Sequence, residues 1–337
     1  MTPDLLADLP LARSRTDRAA LLRTAPDAVP AALADPRTQV LVVRDGGVRT
    51  DGAARVRWYT ADEAQAEAAA VLGADGAPAD AWLLLGAEDD GARVLALRLP
   101  DRAPLPAGGA PADAAVHAGG ATHAGPARRG SDPDDGWTSL RVVGAALDAR
   151  DAGLATTAVA LDAWHDRHPR CPRCGAPTRV AQAGWSRVCD VDGSEHYPRT
   201  DPAVIMAVVD DADRLLLGHA ATWPEGRYST LAGFVEAGES AEQAVRREVR
   251  EETDVVVDRV EYRGSQPWPF PGSLMLGYRA HAVRTDITVD GEEMAAARWY
   301  TRAELTADVR AGTLLLPGRA SIARALVEEW FGGPVDD

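Results

Sequence analysis

Three glutamates, Glu248, Glu251 and Glu252, lie within five residues of the stretch GFVEAGESAEQAVRREVREETDV, residues 233–255. At about 100° per residue on a helix, Glu251 and Glu252 fall within roughly 60° of Glu248, and so do Ala241, Ala244 and Val245. The apolar stripe therefore runs straight into three acids, while Arg246, Arg247 and Arg250 point to the other side or its flank. A solvated surface face puts its charges opposite the apolar stripe, which is the reverse of this pattern. Like charges three and four residues apart repel one another, more strongly when partly buried, and need a compensating cation. Hard divalent ions such as Mg²⁺ or Mn²⁺ suit carboxylate oxygens and can keep positions for water and phosphate oxygens. The competing reading is a purely structural cluster neutralised by arginine, with Arg247 as the first candidate.

The entry to this helix fits a ligand site. Gly233 and Gly238 stand where a loop must bend or let a ligand or metal approach the backbone. Ser240 is a candidate N-cap, with Gln243 three residues on completing a capping-box pattern.

In its fixed positions the segment resembles the Nudix box: Gly233, Glu239, Arg247, Glu248, Val249, Glu251, Glu252 and Val255 match in register. Asp254 stands where the family has a glycine ending the helix in a left-handed turn, a conformation Asp tolerates better than most residues. The resemblance implies hydrolysis of a nucleoside diphosphate linked to another group, with two or three divalent metals at Glu248, Glu251 and Glu252, polarising the diphosphate and activating water.

Downstream, SQPWPFPGSLM, residues 265–275, interleaves three prolines with Trp268 and Phe270. Prolines so spaced exclude a helix or a central strand and predict a rigid extended loop that holds aromatic rings beside a ligand, or a packed aromatic corner. The segment resembles the SQPWPFPxS motif of the NADH diphosphatases, a Nudix group that splits NAD(H) into nicotinamide mononucleotide and AMP. With HYPRTDP and the C-terminal SIAR, the resemblance extends over residues 137–331. It implies that Phe234 and Tyr197 stack on the nicotinamide ring. It further implies that Glu293, beside Glu292, is a distal metal ligand, that Gly233 lies at the metal site, that Ala323 meets the adenine, and that Gln266 and Ser273 help to hold the ligand. The same pocket would serve free NAD(H) or NAD-capped RNA, and the relatives' habit implies a homodimer. ADP-ribose and dinucleoside polyphosphates fit the complete loop less well. A silent nucleotide sensor would have lost box glutamates, and none is lost.

The cysteines do not complete a pattern. Cys171 and Cys174 form a CxxC pair, Cys189 stands alone, and Asp192 occupies the last position of what is a second CxxC pair in the family's zinc ribbon. Asp192 has the right spacing and His196 the better ligand chemistry, four residues later. The residues leave two readings: a weakened zinc site of three thiolates and one other ligand, or no zinc. A Cys171–Cys174 disulfide does not suit a reducing compartment. The segment is expected to brace the N-terminal half against the catalytic half, helped by Trp185.

The rest of the chain must position these groups. Its 337 residues suit two domains, and 46% hydrophobic with 26% charged residues is ordinary for a globular protein. No apolar run reaches membrane-spanning length, and the N-terminus lacks the regions of a signal peptide, so a cytoplasmic location is expected. The net charge of −15 argues against a surface built to grip nucleic acid. All 36 basic residues are Arg, which excludes lysine chemistry. Residues 1–136 read as an α+β domain, with strand-like runs TQVLVVRDGGVRT, ARVRWYT and AWLLLGAEDDGARVLALRLP, a helix over ADEAQAEAAAVLG, and a mobile Ala/Gly/Pro-rich loop over 102–136. Its jobs are packing, dimerisation or shaping the site. Residues 137–200 read as a connecting helix, Asp148 to His168, and a zinc-ribbon-like segment. Residues 201–337 read as an α/β/α sandwich of a mixed sheet and flanking helices, the Nudix fold by resemblance.

Overall fold

The computed structural model describes residues 8–52, 54–100 and 136–336. The loop expected over 102–136, with His117 and His123, falls outside the described residues except for Gly136.

The first sheet collects β1 (Gln39–Arg44), β2 (Gly47–Arg49), β3 (Trp82–Ala87), β4 (Arg93–Arg98) and β5 (Trp137–Ser139) in the order β3-β4-β1-β2-β5. The run Val40 to Val43 is apolar throughout because both faces of β1 are covered. Leu41 and Val43 point into a core shared with Leu154, Ala158 and Leu161, whereas Val40 and Val42 join Ala32, Ala64 and Ala68. Those partners come from α4 (Ala149–Arg167) on one face and from α1 (Ala28–Ala34) and α2 (Ala61–Leu72) on the other. The caps follow the sequence: Thr60 and Glu63 form a reciprocal capping box on α2, and the Asp148 side chain accepts from Asp151 N–H at the start of α4. The run ARVRWYT, expected as a strand, makes only isolated bridges, Val40 with Tyr59 and Thr50 with Val56. Strand β5, α3 (Leu140–Val143) and α4 lie beyond residue 136 yet pack on this first sheet.

A small sheet of β6 (Thr178–Ala181), β7 (Ser186–Cys189) and β8 (Glu195–His196) follows. It docks on the first sheet through Trp185, whose indole N–H donates to the Leu84 carbonyl (2.7 Å) and whose ring carries the Arg23 guanidinium at 3.4 Å.

The third sheet has the order β12-β13-β9-β10-β14, with β11 paired to β9. Its strands are β9 (Asp201–Val209), β10 (Leu215–Ala220), β11 (Leu231–Phe234), β12 (Val256–Trp268), β13 (Ser273–Arg284) and β14 (Met294–Tyr300). Strand β9 pairs parallel with β13 and antiparallel with β10 and β11. Its alternation divides the layers: Val204, Met206 and Val208 face Ala244, Val245 and Val249 of α5 (Ala241–Thr253), whereas Ala203, Ile205, Ala207 and Val209 face Leu305 of α6 (Arg302–Arg310) and Leu326 and Trp330 of α7 (Ile322–Phe331). This is the α/β/α sandwich expected.

The proline-aromatic segment is less of a loop than its composition suggests. Residues Ser265 to Trp268 continue β12 and pair with Leu276 to Ser273 of β13, leaving a tip of four residues, 269–272. Pro267 is tolerated because β12 is an edge strand, where a missing N–H breaks no ladder on the open side.

Candidate active site

Helix α5 is set by its ends. The Ser240 hydroxyl accepts from Gln243 N–H, and Asp254 takes the left-handed conformation (φ 56°) that stops the helix, doing the work usual for glycine. Between these ends the apolar residues Ala244, Val245 and Val249 anchor the helix on the sheet. That phase drives Glu248 and Glu252 inward, to 5% and 1% exposure. Glu251 stays exposed at the rim.

Gly233 on β11 explains how Glu248 fits. A Cβ built on Gly233 would lie 1.9 Å from both Cδ and Oε1 of Glu248, so the carboxylate occupies the place a side chain would take. The position demands glycine for close approach, not for an unusual backbone angle.

Arg247 neutralises part of the cluster, and its limit is countable. Its Nε and Nη2 donate to the two oxygens of Glu239 (3.0 and 2.9 Å). Its Nη1 donates to Glu248 (2.8 Å) and Glu251 (3.0 Å), and Nη2 also reaches the Phe234 carbonyl (2.8 Å). A guanidinium has five N–H donors, and all five are used. Nothing remains for Glu252, whose two carboxylate oxygens are buried with no hydrogen-bond partner. Burial first, then the charges of Glu248, Glu293, Asp290 and Glu251, push the Glu252 carboxyl well above the usual range. Burial likewise raises Glu248, against the opposing pull of Arg247. Arginine alone therefore does not account for the cluster. An all-oxygen donor set around an orphaned carboxylate fits a hard divalent cation, which Glu248, Glu251 and Glu252 could hold, with Glu293 near.

Glu293 acts electrostatically on both Glu248 and Glu252. Its backbone is fixed by a residue that sequence reasoning passed over. Asp290 Oδ1 accepts from the amides of Glu292 (3.1 Å), Glu293 (3.2 Å) and Met294 (2.9 Å). The signal was present in VDGEE, an Asp-Gly turn followed by acids.

The other expected residues lie on different elements. Phe234 sits at the end of β11, half-buried against the α7-side core. Tyr197 is 60% exposed on the approach to β9, and the ring pairs among the described residues do not include these two together. Ser273 is buried at the start of β13, in register with Asp201 of β9 and Trp268 of β12. Ala323 lies in the first turn of α7, behind the Ser321 N-cap. Gln266 is fully buried, its amide N–H donates to the Ala320 carbonyl (2.9 Å), and its oxygen accepts from Ile322 N–H (2.8 Å). With its amide held at both ends by backbone, it ties the hairpin to the start of α7.

At the ribbon, one ligand atom each from Cys171, Cys174, Cys189 and Asp192 lies within 4.8 Å of the other three. The two turns are equivalent: Gly175 N–H donates to Cys171 O, and Gly193 N–H to Cys189 O, each at 2.9 Å. Asp192 thus stands where Cys174 stands in the first turn. His196 is held one step away, bonded to the Ser194 hydroxyl (2.9 Å), which also touches Cys171 (3.4 Å). All three cysteines are free thiols. Burial disfavours the Cys171 thiolate, but hydrogen bonds involving Ser194, the Arg173 and Cys174 amides and His196 outweigh it and bring the thiol down to about 6. A set of three sulfurs and one carboxylate at this spacing fits a tetrahedral zinc ion.

With this geometry in place, the comparisons define the class. Residues 199–319 match the NUDIX domain, and residues 166–197 match the NADH pyrophosphatase zinc ribbon domain. The chain therefore carries a Nudix domain preceded by that ribbon. It is similar to the NAD-capped RNA hydrolase NudC of Mycobacterium bovis (strain BCG / Pasteur 1173P2), 48% identical over 200 residues that cover 57% of this chain and 64% of the relative. It is also similar to the NAD-capped RNA hydrolase NUDT12 of Homo sapiens, 41% identical over 197 residues, 55% of this chain and 43% of that one. A solved NUDIX hydrolase from Nitrosomonas europaea is 22% identical, with a TM-score of 0.38, covering 50% of this chain and 96% of its own. The match thus spans less than two thirds of the length of these curated relatives. Among the described residues, no helix is long and apolar enough to cross a membrane.

The orphaned carboxylate yields a direct expectation. Mn²⁺ should raise the melting temperature of the wild-type protein, because it binds the folded state alone. Glu252→Gln should lose most of that rise, and an undiminished rise in the variant would remove Glu252 from the metal site.

Proposed function

We propose that the chain hydrolyses the diphosphate of NAD(H) to nicotinamide mononucleotide and AMP in a reaction that depends on Mg²⁺ or Mn²⁺. The observation that carries this reading is the buried, unpartnered Glu252 carboxylate within a cluster whose single arginine has no donor left. In the proposed reaction water adds to one phosphorus, the bridging P–O bond breaks, and two monophosphates and a proton are released. Bound divalent ions would neutralise the diphosphate and lower the pKa of the attacking water. Glu248, Glu251, Glu252 and Glu293 would hold them. Arg247 keeps Glu248 and Glu251 in place and ties them to the Phe234 carbonyl, while Gly233 leaves room for Glu248. Phe234 and Tyr197 would stack on the nicotinamide, Ser273 would line the ligand, and Ala323 would meet the adenine through backbone at the start of α7.

A second reading keeps the site and changes the substrate to NAD-capped RNA, releasing nicotinamide mononucleotide and leaving a 5′-monophosphate. The activity for which both relatives are named favours it. The net charge of −15 favours the free dinucleotide. A homodimer in the cytoplasm goes with either reading by resemblance. The ribbon cluster would hold one structural zinc through Cys171, Cys174, Cys189 and Asp192, more weakly than four thiolates.

Purified protein incubated with NADH and Mn²⁺ or Mg²⁺ should give AMP and reduced nicotinamide mononucleotide by mass spectrometry, with none formed in EDTA. NADH and NAD⁺ that are bound yet left intact would point to capped RNA or to a sensor. Metal analysis of the purified chain should find about one zinc per chain. Asp192→Cys should retain it against a chelator that strips the wild type, and a wild type purified without zinc would favour the metal-free ribbon.

A further inference from the structure

Glu293 sits in a frame that leaves its peptide little freedom. Gly291 takes a φ of +76° and its N–H donates to the Met294 carbonyl (3.2 Å), so the stretch DGEEM closes on itself as a tight turn. Inside that turn Asp290 Oδ1 accepts from three successive amides, those of Glu292 (3.1 Å), Glu293 (3.2 Å) and Met294 (2.9 Å). The other side of Glu293 is held too, because its carbonyl accepts from the N–H of Ala221 (2.9 Å), the residue after β10. Both backbone polar groups of Glu293 are therefore bonded, one to the Asp290 side chain and one to the end of the adjacent strand.

The next residue anchors this frame beneath α5. Met294 opens β14 and is buried in the core that holds Ala244, Val245 and Val249 of α5. A Cβ built on Gly218 of β10 would lie 2.8 Å from the Met294 sulfur and 2.9 Å from Leu231 Cδ2 of β11, so Met294 meets the strand that carries Gly233. Just past it the register slips, with Ala220 opposite Met294 but His219 opposite Ala296, and Ala295 is bulged out. Bulges of this kind re-aim the side chains beside them. The Glu293 charge is among those that act most strongly on Glu248 and Glu252, whereas that of Glu292 is not.

We propose that Asp290 is a positioning residue for the metal site: by capping the amides of residues 292–294 it presents Glu293, and not Glu292, to the buried pair Glu248 and Glu252. This rests on the divalent-metal reading of that site. Asp290 Oδ1 is committed to three backbone N–H groups, so its part is to orient a ligand. A carboxylate on an uncapped loop has to be ordered by the cation at the expense of affinity, whereas one on a capped turn is ordered beforehand.

The test measures Mn²⁺ affinity of the full chain without substrate, from the electron paramagnetic resonance of the free ion. Asp290→Ala removes the acceptor, Asp290→Asn keeps Oδ1 and removes the charge, and Asp290→Glu keeps the charge but carries the oxygens past the turn. Asp290→Ala and Asp290→Glu should each weaken binding roughly tenfold, the effect usual for groups that orient a metal ligand, while Asp290→Asn stays within about threefold of wild type. Glu293→Gln should weaken binding at least as much, and adding Asp290→Ala to it should cost little more, because the cap then has no ligand to orient. Unchanged affinity in Asp290→Ala or Asp290→Glu, a loss in Asp290→Asn as large as in Asp290→Ala, or fully additive losses in the double variant would each overturn the inference. If Asp290→Ala does not fold, Asp290→Glu and Asp290→Asn decide it. A wild type that binds no Mn²⁺ would fail the metal reading itself, whereas binding lost in Glu252→Gln but intact in Glu293→Gln would overturn this inference alone.

Discussion

One guanidinium serving too many carboxylates sets the terms for the C-terminal half. Arg247 gives its five donors to Glu239, Glu248, Glu251 and the Phe234 carbonyl, and leaves Glu252 buried without a partner. A carboxyl buried without a hydrogen-bond partner costs about 1–3 kcal/mol even in its neutral form, a noticeable part of the roughly 5–15 kcal/mol that holds a domain folded. The fold tolerates that cost because the rest of the helix is tightly determined. Ser240 and Asp254 fix where it begins and ends, Ala244, Val245 and Val249 fix its rotation, and Gly233 admits the Glu248 carboxylate. A buried, unpartnered carboxyl with a raised pKa is a common sign of a functional site.

The second structural dependence runs through the hairpin of β12 and β13. Just before its tip it is tied to α7 by the buried Gln266 amide, and the tip meets the first sheet's unit through edge-to-face rings and a cation. Three units that could have been independent are thereby joined, with the ribbon docked on the first sheet through Trp185. Arg141 and Gly46 of the first sheet's unit meet the aromatic rings of the hairpin tip.

Much of this was legible in the residues. The inward glutamates, the Ser240 cap, the left-handed Asp254 and the ends of α4 all rest on local periodicity and local chemistry, which a sequence displays directly. What was not legible depends on long-range pairing. Pro267 looked incompatible with a strand until β12 proved to be an edge. The tie from Gln266 to backbone more than fifty residues away could not be read from its neighbours in the sequence. Strand β5 and helix α4, read as a connector, pack on the first sheet because its core has an exposed apolar face to cover. Asp290 was passed over because its three hydrogen bonds matter only once Glu293 is seen beside Glu252.

The central claim is that Glu252 is kept ionised by a metal and not by a protein partner. Crystals soaked in Mn²⁺ and measured at the manganese edge test it without reference to turnover. An anomalous peak within bonding distance of Glu252 and Glu248, close to Gly233, is the predicted result. Saturating Mn²⁺ with no peak there, and Glu252 still buried without a partner, would mean that the carboxyl is simply protonated in the fold and that the metal site lies elsewhere.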